Sequence, residues 1–145
     1  MPTNGARRPR LLVAEDDDSL RRLLDLRLSA GGFTVDTAAD GVIALEAAAE
    51  HPPDAVVCDV MMPRLSGLSV SRELRAREAT RHTPIILLTA RCFDEDIQAV
   101  ISLGGIEYMG KPFNFHELDH ALRVLTGLVD PEQPRLVTFV EDAAS

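Results

Sequence analysis

Cysteine is scarce in this chain: only Cys58 and Cys92 occur in 145 residues, and they form no CxxC pair. That excludes a disulfide framework and the paired-thiol spacing of zinc or redox sites, leaving two buried free thiols as the expectation. Long apolar runs are also missing, with nothing near the roughly 20 residues a membrane span requires. The start carries Arg7, Arg8 and Arg10 but no apolar stretch of the signal-peptide kind, so a soluble cytoplasmic chain is expected. Basic residues are outnumbered, 15 against 23 acidic, for a formal net charge of -8. Neutralising phosphates needs a basic face, so direct nucleic-acid binding is not expected, and the N-terminal arginines read as a solvated leader.

What is present is a hydrophobic fraction of 46%, enough to fill the core of one ordinary domain. Short β-rich runs alternate with helical patterns from residue 10 to 128, the signature of βαβ units and a parallel sheet. The strand candidates are Leu11–Ala14, Thr34–Ala38, Ala55–Cys58, Ile85–Leu88 and Glu107–Met109. Three of them, LLVA, AVVC and IILL, are continuously apolar, as strands covered on both faces must be. Five helices are predicted between and after them from apolar residues three and four apart. They are marked by Leu20, Leu23, Leu24 and Leu28, by Ala44, Leu45 and Ala48, by Val70 and Leu74, by Ile97, Val100 and Ile101, and by Leu118, Ala121, Leu122 and Leu125. Asp18 or Ser19 can cap the first and Gly31-Gly32 can end it, while Asp40 can cap the second and His51-Pro52-Pro53-Asp54 stops it. Right-handed crossovers turn this pattern into a doubly wound α/β sheet, whose chemistry gathers beyond the carboxyl ends of the strands.

Those ends are acidic. Glu15-Asp16-Asp17 follows the first strand, Asp59 the third, Thr89 the fourth, and Lys111 lies beyond the fifth. A parallel sheet brings all of these to one edge, where the carboxylates repel one another and call for a cation. Mg²⁺ suits such a site, since it takes one or two carboxylates, keeps several waters and completes its shell with phosphate oxygens. Lys111 offers a compact positive charge to the same phosphate. Singly, each of these residues is as well explained by a solvated turn; their joint placement points to a site.

The runs LLVAEDDDSLRRLL, VVCDVMMPRLSG, LLTA at Leu87–Ala90 and EYMGKPF at Glu107–Phe113 resemble, in order and spacing, the four landmarks of response-regulator receiver domains of two-component signalling, the chemotaxis regulator among them. The resemblance covers about residues 9 to 128. It implies a five-stranded sheet of order 2-1-3-4-5 with five helices, the flavodoxin-like receiver fold. It also implies a domain over 10–128, between a basic leader at 1–9 and a tail at 129–145. By matching position, Asp59 is the phosphoacceptor, and Mg²⁺ is held by Asp16, Glu15, Asp59 and the backbone carbonyl of Met61. Thr89 and Lys111 attend the phosphoryl group, Thr89 and Tyr108 form the switch, and Lys111-Pro112 is the place of a cis bond. Two departures are Glu15, where Asp is commoner, and Gly110, where a larger residue is usual.

The same resemblance implies partners: a sensor histidine kinase or histidine phosphotransfer protein upstream, and a protein effector downstream. It implies no catalysis beyond the domain's own phosphorylation and dephosphorylation. An aspartyl-nucleophile phosphatase of the haloacid-dehalogenase type would need a second acid where Met61 stands. A purely docking pseudo-receiver is at odds with intact Asp16, Asp59, Thr89 and Lys111. A third alternative is the receiver half of a DNA-binding regulator, because nothing after Leu128 is long enough for a helix-turn-helix domain. Winged-helix regulators typically carry Ala-Asp-Asp before the tyrosine and Ala-Arg on the fifth helix, whereas here Gly105-Ile106-Glu107 and His120-Ala121 stand. That difference predicts an exposed Ile106 as an apolar anchor for a different partner. His116 and His120 read as surface histidines, and Met61, Met62 and Met109 as loop and core packing. Leu136–Val140 forms a short β-like run outside the receiver pattern.

Overall fold

The computed structural model describes residues 8–91 and 94–129. Cys92, Arg7 and the Leu136–Val140 run lie outside the described residues. Five strands, β1 (Arg10–Ala14), β2 (Thr34–Ala38), β3 (Ala55–Asp59), β4 (Ile85–Thr89) and β5 (Ile106–Gly110), form one parallel sheet. Its order is β2-β1-β3-β4-β5, the 2-1-3-4-5 arrangement implied by the resemblance. The helices α1 (Asp18–Ala30), α2 (Gly41–Glu50), α3 (Gly67–Ala76) and α4 (Glu95–Ile101) alternate with the strands, and a 3₁₀ turn at Glu78–Thr80 precedes β4. The fold is of the flavodoxin-like receiver type. α5 (Phe115–Leu125) belongs to a second compact unit that begins at Phe113; its N-cap is Asn114, and Leu118 and Leu122 are its buried residues.

The continuously apolar runs occupy the centre of the sheet, where every residue of β3 and β4 is buried. Alternation sends Leu12, Ala14, Val56, Cys58, Ile85 and Leu87 into one cluster, which α2, α3 and α4 cover with Ala44, Ala48, Val70, Leu74, Ile97 and Val100. α1 packs on β1 and β2 and buries Leu24 and Leu28. Burial of such side chains contributes about 1.5–3 kcal/mol each, so this sheet is a rigid base for the loops at its edge. Phe33, unmarked by any periodicity, is among the largest fully buried side chains.

Helix ends follow local chemistry. α1 is capped by Asp17, one residue before the expected Asp18 or Ser19, with its carboxylate accepting from the Leu20 N–H at 3.0 Å. Asp40 caps α2 through Ile43, and Ser66 caps α3 through Ser69. Such caps are worth about 1 kcal/mol each. Gly31 caps α1 at its C-terminus and Gly32 follows in a left-handed conformation.

Four expectations change. Ile106 is 4% exposed and joins the core beneath α4, because it opens β5 in register with Ile85; it cannot anchor a partner. Met61 is 73% exposed, at the edge of a surface cleft and outside the core, whereas Met62 lies against the core. Leu23 of the α1 stripe points to solvent. Arg8 and Arg10 are more than a solvated leader: the Arg8 guanidinium donates to the Gly32 and Ser29 carbonyls, and Arg10 pairs with Asp36 at 2.8 Å. Cys58 is a buried free thiol as expected, and burial, reinforced by the charges of Asp59 and Glu15, pushes it far above the usual thiol range. It is held protonated and inert.

Candidate metal and phosphoryl site

The ends of β1, β3 and β4 place the site. Ala14 and Cys58 stand in register, so the residues after them, Glu15 and Asp59, emerge side by side. Glu15, Asp16 and Asp59 offer carboxylate oxygens that all lie within 4.8 Å of one another. Asp59 is the last residue of β3 rather than the first of a loop, which fixes its backbone in the ladder opposite Leu88. Glu15 is 1% exposed and Asp59 is buried with it, while Asp16 faces solvent.

Lys111 closes the cluster. Its Nζ lies 3.0 Å from Glu15 Oε1 and 3.3 Å from Asp59 Oδ2. Burial works against the ammonium, but its hydrogen bond to Glu15 and the charges of Asp59 and Glu15 outweigh it and hold Lys111 above its ordinary range. The Lys111 backbone is placed by its N–H on the Thr89 carbonyl at 2.8 Å and by the cis bond to Pro112. Asp59 moves the other way from most carboxylates in ion pairs. Burial, then repulsion from Glu15, raises it from 3.8 to about 7 despite Lys111.

Three carboxylates against one ammonium leave two negative charges in a partly buried space. A divalent cation with a preference for oxygen donors fits that donor set in charge and chemistry. Glu15 reaches this arrangement with its extra methylene intact: its second oxygen accepts the Asp17 N–H at 3.0 Å.

The other predicted residues lie around the cluster. Met61 donates its N–H to Asp59 Oδ1 at 3.3 Å, which sets the start of the β3–α3 loop against the acid. Thr89 ends β4, buried, one residue past the Asp59–Leu88 pair, and its Oγ1 accepts the Arg91 N–H at 2.9 Å. Tyr108 is 36% exposed on β5, in register with Leu87 and on the same face as Thr89. An apolar cleft of about 400 Å³ opens beside Thr89, lined also by Val60, Met61, Leu68, Arg91 and Ile97.

Sequence reasoning missed the arginines that brace these loops. Arg21 donates to the Glu15 carbonyl at 2.8 Å while pairing with Asp18 at 2.6 Å. Arg64 grips Asp40, 24 residues away, with two hydrogen bonds. The Arg21–Asp18 pair has the three-residue spacing of a helix face, but the contacts of Arg21 with the Glu15 carbonyl and of Arg64 with Asp40 follow from no spacing. Gly67 was likewise passed over: a Cβ there would overlap the Asp59 backbone, so only glycine lets α3 start so close to β3.

Comparison with known proteins agrees with this geometry. Residues 11–123 match the family model of the response regulator receiver domain. The response regulator MprA of Mycobacterium sp. (strain KMS) is 43% identical over 124 residues, covering 86% of this chain and 53% of that protein. The chain therefore spans about half the length of the curated relatives it matches. Among solved structures, the receiver domain of sensor histidine kinase PA1611 from Pseudomonas aeruginosa, which has a magnesium ion coordinated in its active-site cleft, superposes with a TM-score of 0.74 at 33% identity, covering 83% of this chain and 99% of that one. The chemotaxis protein CheY4 of Vibrio cholerae gives 0.76 at 30% identity, covering 82% and 99%. The chain belongs to the response regulator receiver domain family. Its acidic triad is consistent with the Mg²⁺-dependent aspartate phosphorylation typical of response regulators. Among the described residues no helix is long and apolar enough to cross a membrane.

Proposed function

We propose that residues 10–128 act as a phosphoacceptor domain that takes a phosphoryl group onto Asp59 and alters a protein-interaction surface in response. The observation that carries this reading is the convergence of Glu15, Asp16 and Asp59 with Lys111 at 3.3 Å from Asp59. Asp16, Glu15, Asp59 and the Met61 carbonyl would hold Mg²⁺, which would supply positive charge to the phosphoryl oxygens. The carboxylate of Asp59 attacks the phosphorus of a phosphohistidine; the new O–P bond forms as the P–N bond breaks, and the histidine leaves with a proton. Lys111 attracts the oxygens of the transferred group, and the Thr89 hydroxyl turns toward them. Tyr108 then fills the space Thr89 vacates, so a local charge becomes a surface change. The only chemistry asked of the domain is its own phosphorylation and dephosphorylation.

The upstream partner in this reading is a sensor histidine kinase or a histidine phosphotransfer protein, and the downstream one a protein effector met in the cytoplasm, with no direct contact to nucleic acid. The leader at 1–9 and the tail at 129–145 lie outside the phosphoacceptor domain. A second reading, the receiver half of a longer DNA-binding regulator, is favoured by the match to 53% of the MprA-type relative. The mass of the native gene product decides between them.

The test of the site is phosphorylation by a small acyl phosphate with Mg²⁺. One phosphoryl group should be added, Asp59→Asn should prevent it, and Asp16→Ala should abolish the Mg²⁺-dependent rise in melting temperature. Labelling that persists in Asp59→Asn overturns the assignment.

A further inference from the structure

Arg64 has φ 66°, a left-handed conformation costly for any side chain with a Cβ, and among the described residues it is the one non-glycine residue so placed. Its guanidinium reaches both oxygens of Asp40, Nε to Oδ2 at 3.0 Å and a terminal nitrogen to Oδ1 at 3.2 Å. Asp40 is only 13% exposed, and its Oδ1 also caps α2 through the Ile43 N–H. That N–H and the Arg64 hydrogen bond together hold the Asp40 carboxyl below its usual range. Beside this pair the backbones touch: Gly41, the first residue of α2, has no room for a Cβ against Leu65. The segment before Asp40 is tied in turn to the acidic loop, since the Ala38 carbonyl accepts the Glu15 N–H at 3.0 Å. At its far end the β3–α3 loop is closed by the Gly67 N–H on the Val60 carbonyl at 2.9 Å.

We propose that Arg64 and Asp40 form a latch that positions the β3–α3 loop, and with it the Met61 backbone, against Asp59. Both are positioning residues that touch neither metal nor phosphoryl group. The inference rests on the reading of Asp59 as a Mg²⁺-assisted phosphoacceptor and adds to it how the loop that carries Met61 is held. A lone exposed ion pair would do little, but a two-bond fork onto a partly buried, doubly used carboxylate fixes direction as well as distance. The loop between Val60 and Gly67 is then held at its middle as well as its ends. Without the latch the loop is held at its ends alone, by the Val60 and Gly67 backbone hydrogen bonds, and Met61 by its one long hydrogen bond to Asp59.

The experiment is a calorimetric Mg²⁺ titration of the full chain, with urea unfolding alongside, for the wild type, Arg64→Gly, Arg64→Lys, Asp40→Asn and the Arg64→Gly/Asp40→Asn double variant. Asparagine keeps the α2 cap, and glycine removes the left-handed cost together with the pair, so neither is expected to lose much stability. Each should weaken Mg²⁺ binding by about threefold to tenfold, as loss of an outer-shell partner does, with the double variant no weaker than the singles. Arg64→Lys, which can reach one oxygen at a time, should lie between. Unchanged Mg²⁺ affinity in both singles, or fully additive losses in the double, overturns the latch. A wild type that binds no Mg²⁺ overturns the reading of the site itself, and the latch with it, and is recognised by the flat wild-type titration.

Discussion

Lys111 Nζ and Glu15 Oε1 meet at 3.0 Å across 96 residues of sequence, with the carboxylate essentially inaccessible to water. The ammonium at one end of this contact is the only positive side chain ion-paired with the buried acids among the described residues. Removing it leaves Glu15 and Asp59 buried with no opposing charge. Lys111→Ala should therefore destabilise the metal-free protein by about 1–3 kcal/mol, less than a fully buried pair because Lys111 itself is partly exposed. Mg²⁺ should restore part of that loss. Urea unfolding with and without Mg²⁺ measures both, and an unchanged midpoint in the metal-free variant refutes the account.

Asp59 gives a pH dependence of definite sign. Its folded value, about 7, lies above its ordinary 3.8, so the folded chain binds more protons than the unfolded chain between those values. Stability of the metal-free protein should fall as pH rises from about 4 to about 7, and the cost should be complete above that. Asp59→Asn cannot ionise, so it should flatten this window and be more stable than the wild type at pH 7.5 by about 1–3 kcal/mol. Lys111, held above its ordinary range, contributes stability that is lost only in strongly alkaline solution and does not enter this window. Thermal unfolding across pH 4–8 in chelator is the measurement. A wild type that gains stability toward pH 7 relative to Asp59→Asn contradicts the sign.

The sheet was legible in the sequence for a physical reason: LLVA, AVVC and IILL are buried along their whole length and must be apolar at every position. The edge strands were harder. β5 was predicted as Glu107–Met109 but runs Ile106–Gly110, and only register with β4 decides that Ile106 points inward. The acidic cluster was legible because parallel strands bring their carboxyl ends together whatever their separation in sequence. Its distances were not, nor was the contact of Glu15 with Lys111, since side-chain reach is set by backbone placement. The Arg64–Asp40 fork left no trace in spacing because it depends on one residue's left-handed backbone. Asp17 capped α1 in place of Asp18 or Ser19 because any member of an acidic run can do so, and the end of β1 chooses among them.

Met61 and Arg91 bear on how long a phosphoryl group would persist. Both are long, largely exposed side chains that line the cleft beside Thr89, and Arg91 is only loosely paired with Asp94 at 4.0 Å. From there they can cover the approach of a water to phosphorylated Asp59. Hydrolysis should accelerate severalfold in Met61→Asn and Arg91→Ala, and the double variant should be faster than either. Loss of label after gel filtration gives the rates. If both single variants hydrolyse at the wild-type rate, neither side chain shields the phosphoryl group.

Tyr108 offers a direct view of the switch, because the chain has one tyrosine and no tryptophan and its ultraviolet emission therefore reports that ring alone. In the structure the ring is 36% exposed, on the same sheet face as Thr89 and two register positions from it. If a phosphoryl group draws the Thr89 hydroxyl toward Asp59, the apolar ring has space to enter and gains by leaving water. The bound group shifts this equilibrium only by its different affinity for the two arrangements, so a minority of inward rings exists before activation. Adding beryllofluoride and Mg²⁺, which mimic the acyl phosphate, should make Tyr108 emission about two- to fivefold less quenchable by acrylamide, on the order of a shift from mostly outward to mostly inward rings. Thr89→Val keeps the shape at position 89 but lacks the hydroxyl that responds to the phosphoryl group, so it should bind beryllofluoride and show no change in quenching. Equal quenching of the wild type before and after activation, or an undiminished response in Thr89→Val, separates Tyr108 from the phosphoryl site and removes it from the switch.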